Sequence, residues 1–227
     1  MPIKIGDVDV SFTNSSLLMI ITIVAVTVFL MGGMRKRALV PGRWQLTAEI
    51  SYEFIAGMLR DNVGKAGRPY FPLVFSLFMF ILFGNMFGML PYSFTFTSHI
   101  IVTLALALTL FIGVTVLGFI KHGIGFFKFF APAGVPVYLL PLLVPIEIIS
   151  YLSRPISLSV RLFANMMAGH TLLKVFGGFV IQMSFFGVLP LAFLVALTGL
   201  ELLIAFLQAY VFAILTCLYI NDALHMH

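Results

Sequence analysis

The sequence of 227 residues contains few charged side chains and a single cysteine. Charged residues make up 9% of it and hydrophobic residues 61%, against about 25% and about 45–50% in an ordinary soluble domain. That much apolar surface cannot be buried in one soluble domain, which excludes a soluble enzyme and a disordered chain. The lone Cys217 has no partner within the chain, which excludes a disulfide-rich secreted domain. The composition therefore predicts a polytopic membrane protein.

The few charges are unevenly distributed. Most of them precede residue 69, and the rest of the chain carries eight. These eight are Lys121, Lys128, Glu147, Arg154, Arg161, Lys174, Glu201 and Asp222. The net charge of +5 comes largely from basic residues that flank predicted membrane spans. We therefore expect a lipid bilayer as the partner of this chain and no nucleic acid.

Uncharged apolar runs predict an all-α membrane protein with about five spans. Leu17–Met34 is just long enough to cross a bilayer. Pro69–Ile120 holds two spans with a break near Pro91. Ile146–Phe186 and Leu189–Leu224 exceed the roughly 20 residues needed to cross, so we expect a long, tilted or bent hairpin.

Two further segments are predicted to lie at the membrane edge. Arg43–Arg60 has apolar residues every three to four positions, which is typical of an amphipathic surface helix. Four prolines predict a short connection before the fourth span: Pro132, Pro136, Pro141 and Pro145. The chain then divides into an N-terminal region with the first span (1–40), a surface helix and linker (41–68) and a membrane-embedded domain (69–227).

Basic residues orient the spans through the positive-inside rule. Lys121 and Lys128 follow the third span, whereas the loop at 91–98 is uncharged. Seven more basic residues separate the first two spans: Arg35, Lys36, Arg37, Arg43, Arg60, Lys65 and Arg68. Five spans therefore place the N-terminus outside and the C-terminus inside.

Arg161 interrupts the fourth span with a permanent charge. A guanidinium buried at bilayer depth costs at least about 2.5–3.5 kcal/mol, and it cannot be relieved by deprotonation. Arg161 shares one helical stripe with Asn165 and small or neutral neighbours, which leaves room for another helix to approach. Two interpretations are open: a residue on an ion pathway, or a structural arginine that snorkels or pairs with Glu147 or Glu201.

His170, Glu201 and Gln208 are polar residues in the two long helices. His170 lies about 180° around its helix from Arg161, so it is either a titratable group on the opposite face or a satisfied core histidine. Glu201 and Gln208 share one face of the last helix. Burial disfavours an ionised Glu, so Glu201 is either a proton relay or half of a static ion pair. Gln208 is placed to hold Arg161 from the facing helix.

Glu147 and Asn85 have weaker signals. Glu147 is either a carboxylate at a helix N-terminus or the mouth of an aqueous path on the inside. Asn85, an amide within the second span, either lines a wet cavity or bonds between helices. Neither a soluble-type catalytic motif nor a metal-binding spacing occurs, so we expect no metal and no cofactor. The roles of His99, Lys174 and Arg154 stay open.

Three segments together resemble one family. Residues 153–170, Ser-Arg-Pro-Ile-Ser-Leu-Ser-Val-Arg-Leu-Phe-Ala-Asn-Met-Met-Ala-Gly-His, resemble the signature of subunit a of the F-type ATP synthase, called subunit 6 in mitochondria. Residues 201–212 resemble the final helix of that family, and residues 84–91 resemble its earlier membrane motif. The resemblance runs from about residue 40 to the C-terminus and is nearest to the alpha-proteobacterial and mitochondrial branch.

The resemblance implies a stator subunit that is not an enzyme on its own. In that family an arginine faces a rotating c-ring of small subunits, each with one membrane carboxylate, and protons pass through two offset half-channels. By position, Arg161 matches the essential arginine and Glu147 a carboxylate near the exit path. Polar positions along the proton path are matched by Asn165, His170, Glu201 and Gln208, with Asn85 in the earlier motif.

The resemblance also implies partners and a location. The partners are the c-ring, the b subunits of the peripheral stalk and the other ATP synthase subunits. The location is the bacterial plasma (inner) membrane or the mitochondrial inner membrane. Two alternatives remain: a proton-coupled secondary transporter that binds an anionic substrate through Arg161, and a structural assembly subunit, which would leave Arg161 and Glu201 unexplained.

Overall fold

Helices dominate the part of the chain that the structure describes, a computed structural model of residues 4–5, 8–9, 13–34, 42–90, 95–130 and 137–225. The six α-helices of these residues are α1 (Asn14–Met34), α2 (Arg43–Val63), α3 (Phe71–Gly88), α4 (Ile100–His122), α5 (Leu140–Gln182) and α6 (Val188–Leu224). Short 3₁₀ segments lie at Gly64–Tyr70, Phe96–Ser98, Gly123–Phe130, Val137–Leu139 and Ser184–Gly187. Two antiparallel two-residue strands, β1 (Lys4–Ile5) and β2 (Val8–Asp9), precede them.

The five-span prediction is confirmed within the described residues. Five helical segments are long and apolar enough to cross a membrane: Asn14–Met34, Arg43–Gly88, Ile100–Phe126, Leu140–Gln182 and Val188–Leu224. Several sequence predictions lie outside the described residues, namely the basic cluster 35–37, the break at 91–94, Pro132 and Pro136. The division into three regions and the orientation of the spans stay predictions.

The predicted amphipathic helix is α2, which ends at Val63 instead of Arg60. Part of its apolar face packs against other helices of the protein. Ile55, Met58 and Leu59 are buried in a cluster shared with α3 and α6, because these helices pack against α2. The linker after α2 is a 3₁₀ segment that leads directly into α3.

The start of the fourth span was predicted wrongly. α5 begins at Leu140, so Pro141 and Pro145 lie inside a helix and not in a membrane-edge connection. Proline is tolerated in the first helical turn, where its missing N–H has no partner to lose. The helix also continues through Pro145 and Pro155 and ends at Gln182, four residues before the predicted end at residue 186.

α5 and α6 form the long antiparallel hairpin predicted from the sequence. They contain 43 and 37 residues, which correspond to about 65 and 55 Å of helix. The hydrocarbon core of a bilayer is only about 30 Å thick, so helices of this length must incline or protrude. α6 lies at the centre of the fold, where it packs against α2, α3, α4 and α5. Its small residues Ala205, Ala209 and Ala213 are fully buried and allow this close approach.

Candidate functional site

Arg161 lies on an open face of α5. The stripe predicted from the spacing is exposed along its length: Ser157, Arg161, Asn165, Ala168 and Leu172. Neither of the ion pairs found among the described residues includes Arg161. The alternative in which Arg161 pairs with Glu147 or Glu201 is therefore not found, and the stripe leaves room for another helix as its spacing predicts. Arg161 itself is exposed, whereas Asn165, Ala168 and Leu172 of the same stripe also border the contact with α6. The Arg161 charge is therefore open to a partner outside this chain.

Gln208 bonds to Asn165 and does not hold Arg161 as the sequence suggested. The Asn165 amide Nδ2 donates to Gln208 Oε1 at 2.7 Å, across the contact between α5 and α6. Gln208 is buried between these helices, whereas Arg161 turns outward, so the two side chains point apart. The Gln208 amide nitrogen has no hydrogen-bond partner. This amide pair lies one helical turn from Arg161.

His170 and Glu201 lie together on the other side of α5. The ring atom Nδ1 is 3.2 Å from Glu201 Oε1, and Glu201 is buried. The contact is close but not aligned as a hydrogen bond, so both carboxylate oxygens lack hydrogen-bond partners. Gly169 makes the contact possible, because a Cβ there would lie 2.7 Å from Glu201 Oε1. The arrangement brings an imidazole and a carboxyl group within reach of one shared proton.

Thr95 is a member of this site that the sequence reasoning missed. Its Oγ1 lies 2.7 Å from His170 Nε2 and donates to the Gly88 carbonyl at 3.0 Å. The contact joins residues 75 positions apart, so no local pattern reveals it. The available signal was the cluster of hydroxyl residues at 95–98, just before an apolar span.

Asn85 bonds between helices, one of the two interpretations left open by the sequence. Its Nδ2 donates to the Ala205 carbonyl at 3.3 Å and links α3 to α6. Its Oδ1 belongs to a set of buried side-chain atoms without a protein partner: Asn85 Oδ1, Thr97 Oγ1, both Glu201 oxygens and Gln208 Nε2. Buried polar atoms are rarely left unpaired in proteins, and ordered water commonly satisfies them.

A cavity supports this water-binding interpretation. It has a volume of about 120 Å³ and lies between α5 and α6, bordered by Asn165, Gly169 and Glu201. One water molecule takes about 30 Å³ of liquid volume, so the cavity has room for several. Its walls contain both polar partners and apolar side chains such as Leu197.

Glu147 lies apart from this group, toward the beginning of α5. It is half-buried and about two turns beyond the first residue of the helix, Leu140. The interpretation as a carboxylate at a helix N-terminus is therefore wrong, because dipole stabilisation is confined to the first turn. Glu147 and His170 lie on either side of Arg161 along α5.

A second charged cluster joins α5 to α6 at the end of the hairpin away from the turn at 183–187. No role was predicted for it from the sequence. Arg154 Nη1 donates to Asp222 Oδ2 at 2.9 Å and joins α5 to α6. The guanidinium also lies over two rings, with its carbon 5.3 Å from the Tyr151 centroid and 5.2 Å from that of Tyr219. Tyr151 in turn contacts the Thr115 hydroxyl at 2.7 Å.

These features define a polytopic membrane protein that moves ions. Charged and titratable side chains inside membrane spans are costly and mark ion pathways. The family model described as ATP synthase A chain matches residues 16–221. The chain belongs to this family, which confirms the resemblance drawn from its motifs.

Curated relatives carry the same family name. The chain is 62% identical over 226 residues to ATP synthase subunit a of Pelagibacter ubique, covering 99% of this chain and 93% of the relative. It is 59% identical to the Paramagnetospirillum magneticum protein of that name, covering 100% and 95%. For the Mesorhizobium japonicum protein the identity is 60%, covering 99% and 92%. The chain is accordingly a non-catalytic, proton-translocating subunit, and the secondary-transporter alternative is not favoured.

Proposed function

We propose that this chain forms two offset proton half-channels beside a ring of small subunits, with Arg161 as the group that meets each ring carboxylate. The observation that carries the proposal is the exposed Arg161, which forms no ion pair with an acidic residue in the described part of the chain. A permanent cation in a membrane span requires an anionic partner, and no acidic side chain among the described residues pairs with Arg161. A carboxylate on a neighbouring subunit supplies it.

The chemistry of arginine explains how translocation becomes directional. A deprotonated ring carboxylate is attracted to Arg161, whereas a protonated one is neutral and enters lipid at low cost. The guanidinium stays charged at every physiological pH. It therefore repels a proton that would otherwise pass directly from one half-channel to the other. Each proton must instead travel around with the ring.

We assign the entry path to the polar groups between α5, α6 and α3. His170 and Glu201 form the outer part, and the Asn165–Gln208 amide pair lies between them and Arg161. Asn85 borders the same region through its bond to α6. Their unpaired atoms and the adjoining cavity favour a hydrated route.

We assign the exit path to the region of Glu147. His170 lies nine residues after Arg161 and Glu147 fourteen residues before it, which corresponds to about 13 and 21 Å along α5. The two groups thus flank Arg161 at different depths. This separation is what an offset pair of half-channels requires, because each opens to one side of the membrane only.

The remaining proposals concern partners and location. We infer contacts with the c-ring, the b subunits of the peripheral stalk and other ATP synthase subunits. The membrane is the bacterial plasma (inner) membrane, since the relatives named above are bacterial. We also infer, from the positive-inside rule, that the N-terminus lies outside and the C-terminus inside.

Crosslinking in the intact complex tests the proposal. In a Cys217→Ser background, Ala168→Cys places a photo-activated maleimide on the Arg161 stripe. Ile101→Cys is the control, because Ile101 is also exposed but lies on α4. We expect Ala168→Cys alone to capture a small hydrophobic subunit that carries one membrane carboxylate. Capture of that subunit from Ile101→Cys but not from Ala168→Cys would contradict the assignment of the Arg161 face.

A further inference from the structure

Thr95 contacts His170 but has no part in the proton path proposed above. It is 6% exposed and lies just before the 3₁₀ segment Phe96–Ser98. Its hydroxyl oxygen makes two short contacts, one to the Gly88 carbonyl at 3.0 Å and one to His170 Nε2 at 2.7 Å. A hydroxyl group has a single proton to donate and accepts through its lone pairs.

The direction of the hydrogen bond between Thr95 and Gly88 determines the direction of the one between Thr95 and His170. A carbonyl oxygen only accepts, so the Thr95 hydroxyl donates its one proton to the Gly88 carbonyl. The bond to His170 then requires a proton on Nε2, which donates to Thr95 Oγ1. In a neutral imidazole only one ring nitrogen carries a proton, so Nδ1 is left bare. That bare atom is the one that lies 3.2 Å from Glu201 Oε1.

We propose that Thr95 is a positioning residue that keeps Nε2 of His170 protonated, so that Nδ1 is the ring atom that exchanges a proton with Glu201. When Glu201 is protonated, its O–H faces the bare Nδ1. Transfer breaks the O–H bond, forms the Nδ1–H bond and leaves a carboxylate beside an imidazolium. The Nε2–H bond to Thr95 is the same before and after the step. The inference rests on the proposed place of His170 and Glu201 in the entry path.

The surroundings hold Thr95 in position. A Cβ at Gly88 would lie 2.5 Å from Thr95 Cγ2, so only glycine leaves space for this side chain. The Ser98 hydroxyl donates to the Thr95 carbonyl at 2.6 Å and fixes the backbone. A hydrogen-bonded partner of this kind determines both the tautomer and the orientation of a histidine ring.

The test measures the His170 tautomer in the reconstituted ATP synthase by ¹⁵N solid-state NMR with ring-labelled histidine. Spectra are recorded at alkaline pH, where the imidazole is neutral, and a His170→Gln complex identifies the signal by difference. Thr95→Val removes the hydroxyl at constant shape, and Thr95→Ser retains it. Thr216→Val is the matched control, because this buried hydroxyl donates only to the Phe212 carbonyl of its own helix.

We expect the unmodified, Thr95→Ser and Thr216→Val complexes to hold the proton on Nε2, and Thr95→Val to place it partly on Nδ1. ATP-driven proton pumping should fall about tenfold in Thr95→Val and recover in Thr95→Ser, since one such hydrogen bond is worth about that factor. A bare Nε2 in the unmodified complex overturns the proposal even if Thr95→Val does not assemble. An unchanged tautomer in Thr95→Val also overturns it. A changed tautomer with full pumping upholds the role of Thr95 and refutes the proton path through His170.

Discussion

The two halves of the α5–α6 hairpin carry polar clusters of opposite character. In the half nearer the turn at 183–187, His170 and Glu201 lie 3.2 Å apart without an aligned hydrogen bond. In the other half, Arg154 and Asp222 are bonded at 2.9 Å, with two tyrosine rings around the guanidinium. The same two helices therefore hold one cluster with unpaired buried atoms and one closed ion pair.

This difference fits the proposal that one cluster carries protons and the other is a structural link. An ion pair stabilises a helix contact when its charged groups are hydrogen-bonded, as Arg154 Nη1 and Asp222 Oδ2 are. A proton carrier must instead keep a lone pair free to accept the proton and a route by which to release it. The unpaired oxygens of Glu201 meet that requirement. Arg161 lies between the two clusters and belongs to neither.

The largest expected effect comes from Arg161. Arg161→Ala should reduce ATP-driven proton pumping in membrane vesicles to background, because no permanent cation then meets the ring carboxylate. Arg161→Lys should fail or nearly fail, since lysine can lose its proton and lacks the planar fork. Val160→Ala, at an exposed apolar neighbour, is the control and should pump normally. Normal pumping by Arg161→Lys would refute the requirement for a permanent charge.

A smaller but more diagnostic effect is expected from exchanging His170 and Glu201, the pair in the half of the hairpin nearer the turn. Each single change, His170→Glu or Glu201→His, should lower pumping by about a hundredfold, the size of a typical acid–base contribution. The double variant keeps one carboxyl group and one imidazole in contact, so it should pump faster than either single variant. Pumping rates measured against pH for all three variants check this, because coupled groups titrate as a pair. If the double variant loses as much as the two singles combined, the residues act independently.

The smallest effect is expected in the other half, at Arg154 and Asp222. Both side chains are partly exposed, so removing the pair with Arg154→Met should cost only about 1 kcal/mol of stability or less. Thermal unfolding of the purified complex measures the loss. The charge-reversed double variant, Arg154→Asp with Asp222→Arg, should recover part of it. Pumping per assembled complex should be unchanged, and a loss comparable to that of His170→Glu would abolish the contrast between the two halves.

The fold was largely predictable because membrane insertion depends on sums over local sequence. Long uncharged runs predicted the spans, and the regular apolar spacing of 43–60 predicted α2. The start of α5 differs from the prediction because Pro141 and Pro145 do not break the helix. Proline costs little in a first turn, and inside a membrane helix neighbouring groups can satisfy the freed carbonyl.

The candidate site was predictable only in its composition. Helical spacing correctly placed Asn165 beside Arg161 and His170 on another face, because spacing fixes angles around one helix axis. It did not show that Arg161 is exposed or that Gln208 bonds to Asn165. Those outcomes depend on how α5 is rotated against α6, which is set by packing along the whole contact.

Composition and the order of charges were thus sufficient for the class of protein, the number of spans and the list of polar residues inside them. Transfer from water to lipid is an additive property of the side chains, and it can be summed along the chain without knowing their neighbours. Contacts between specific polar side chains cannot be summed along the chain in this way. That His170 meets both Glu201 and Thr95, while Arg161 faces outward, follows from the relative rotation and register of α5, α6 and the segment before α4. Contacts between residues distant in sequence set that geometry.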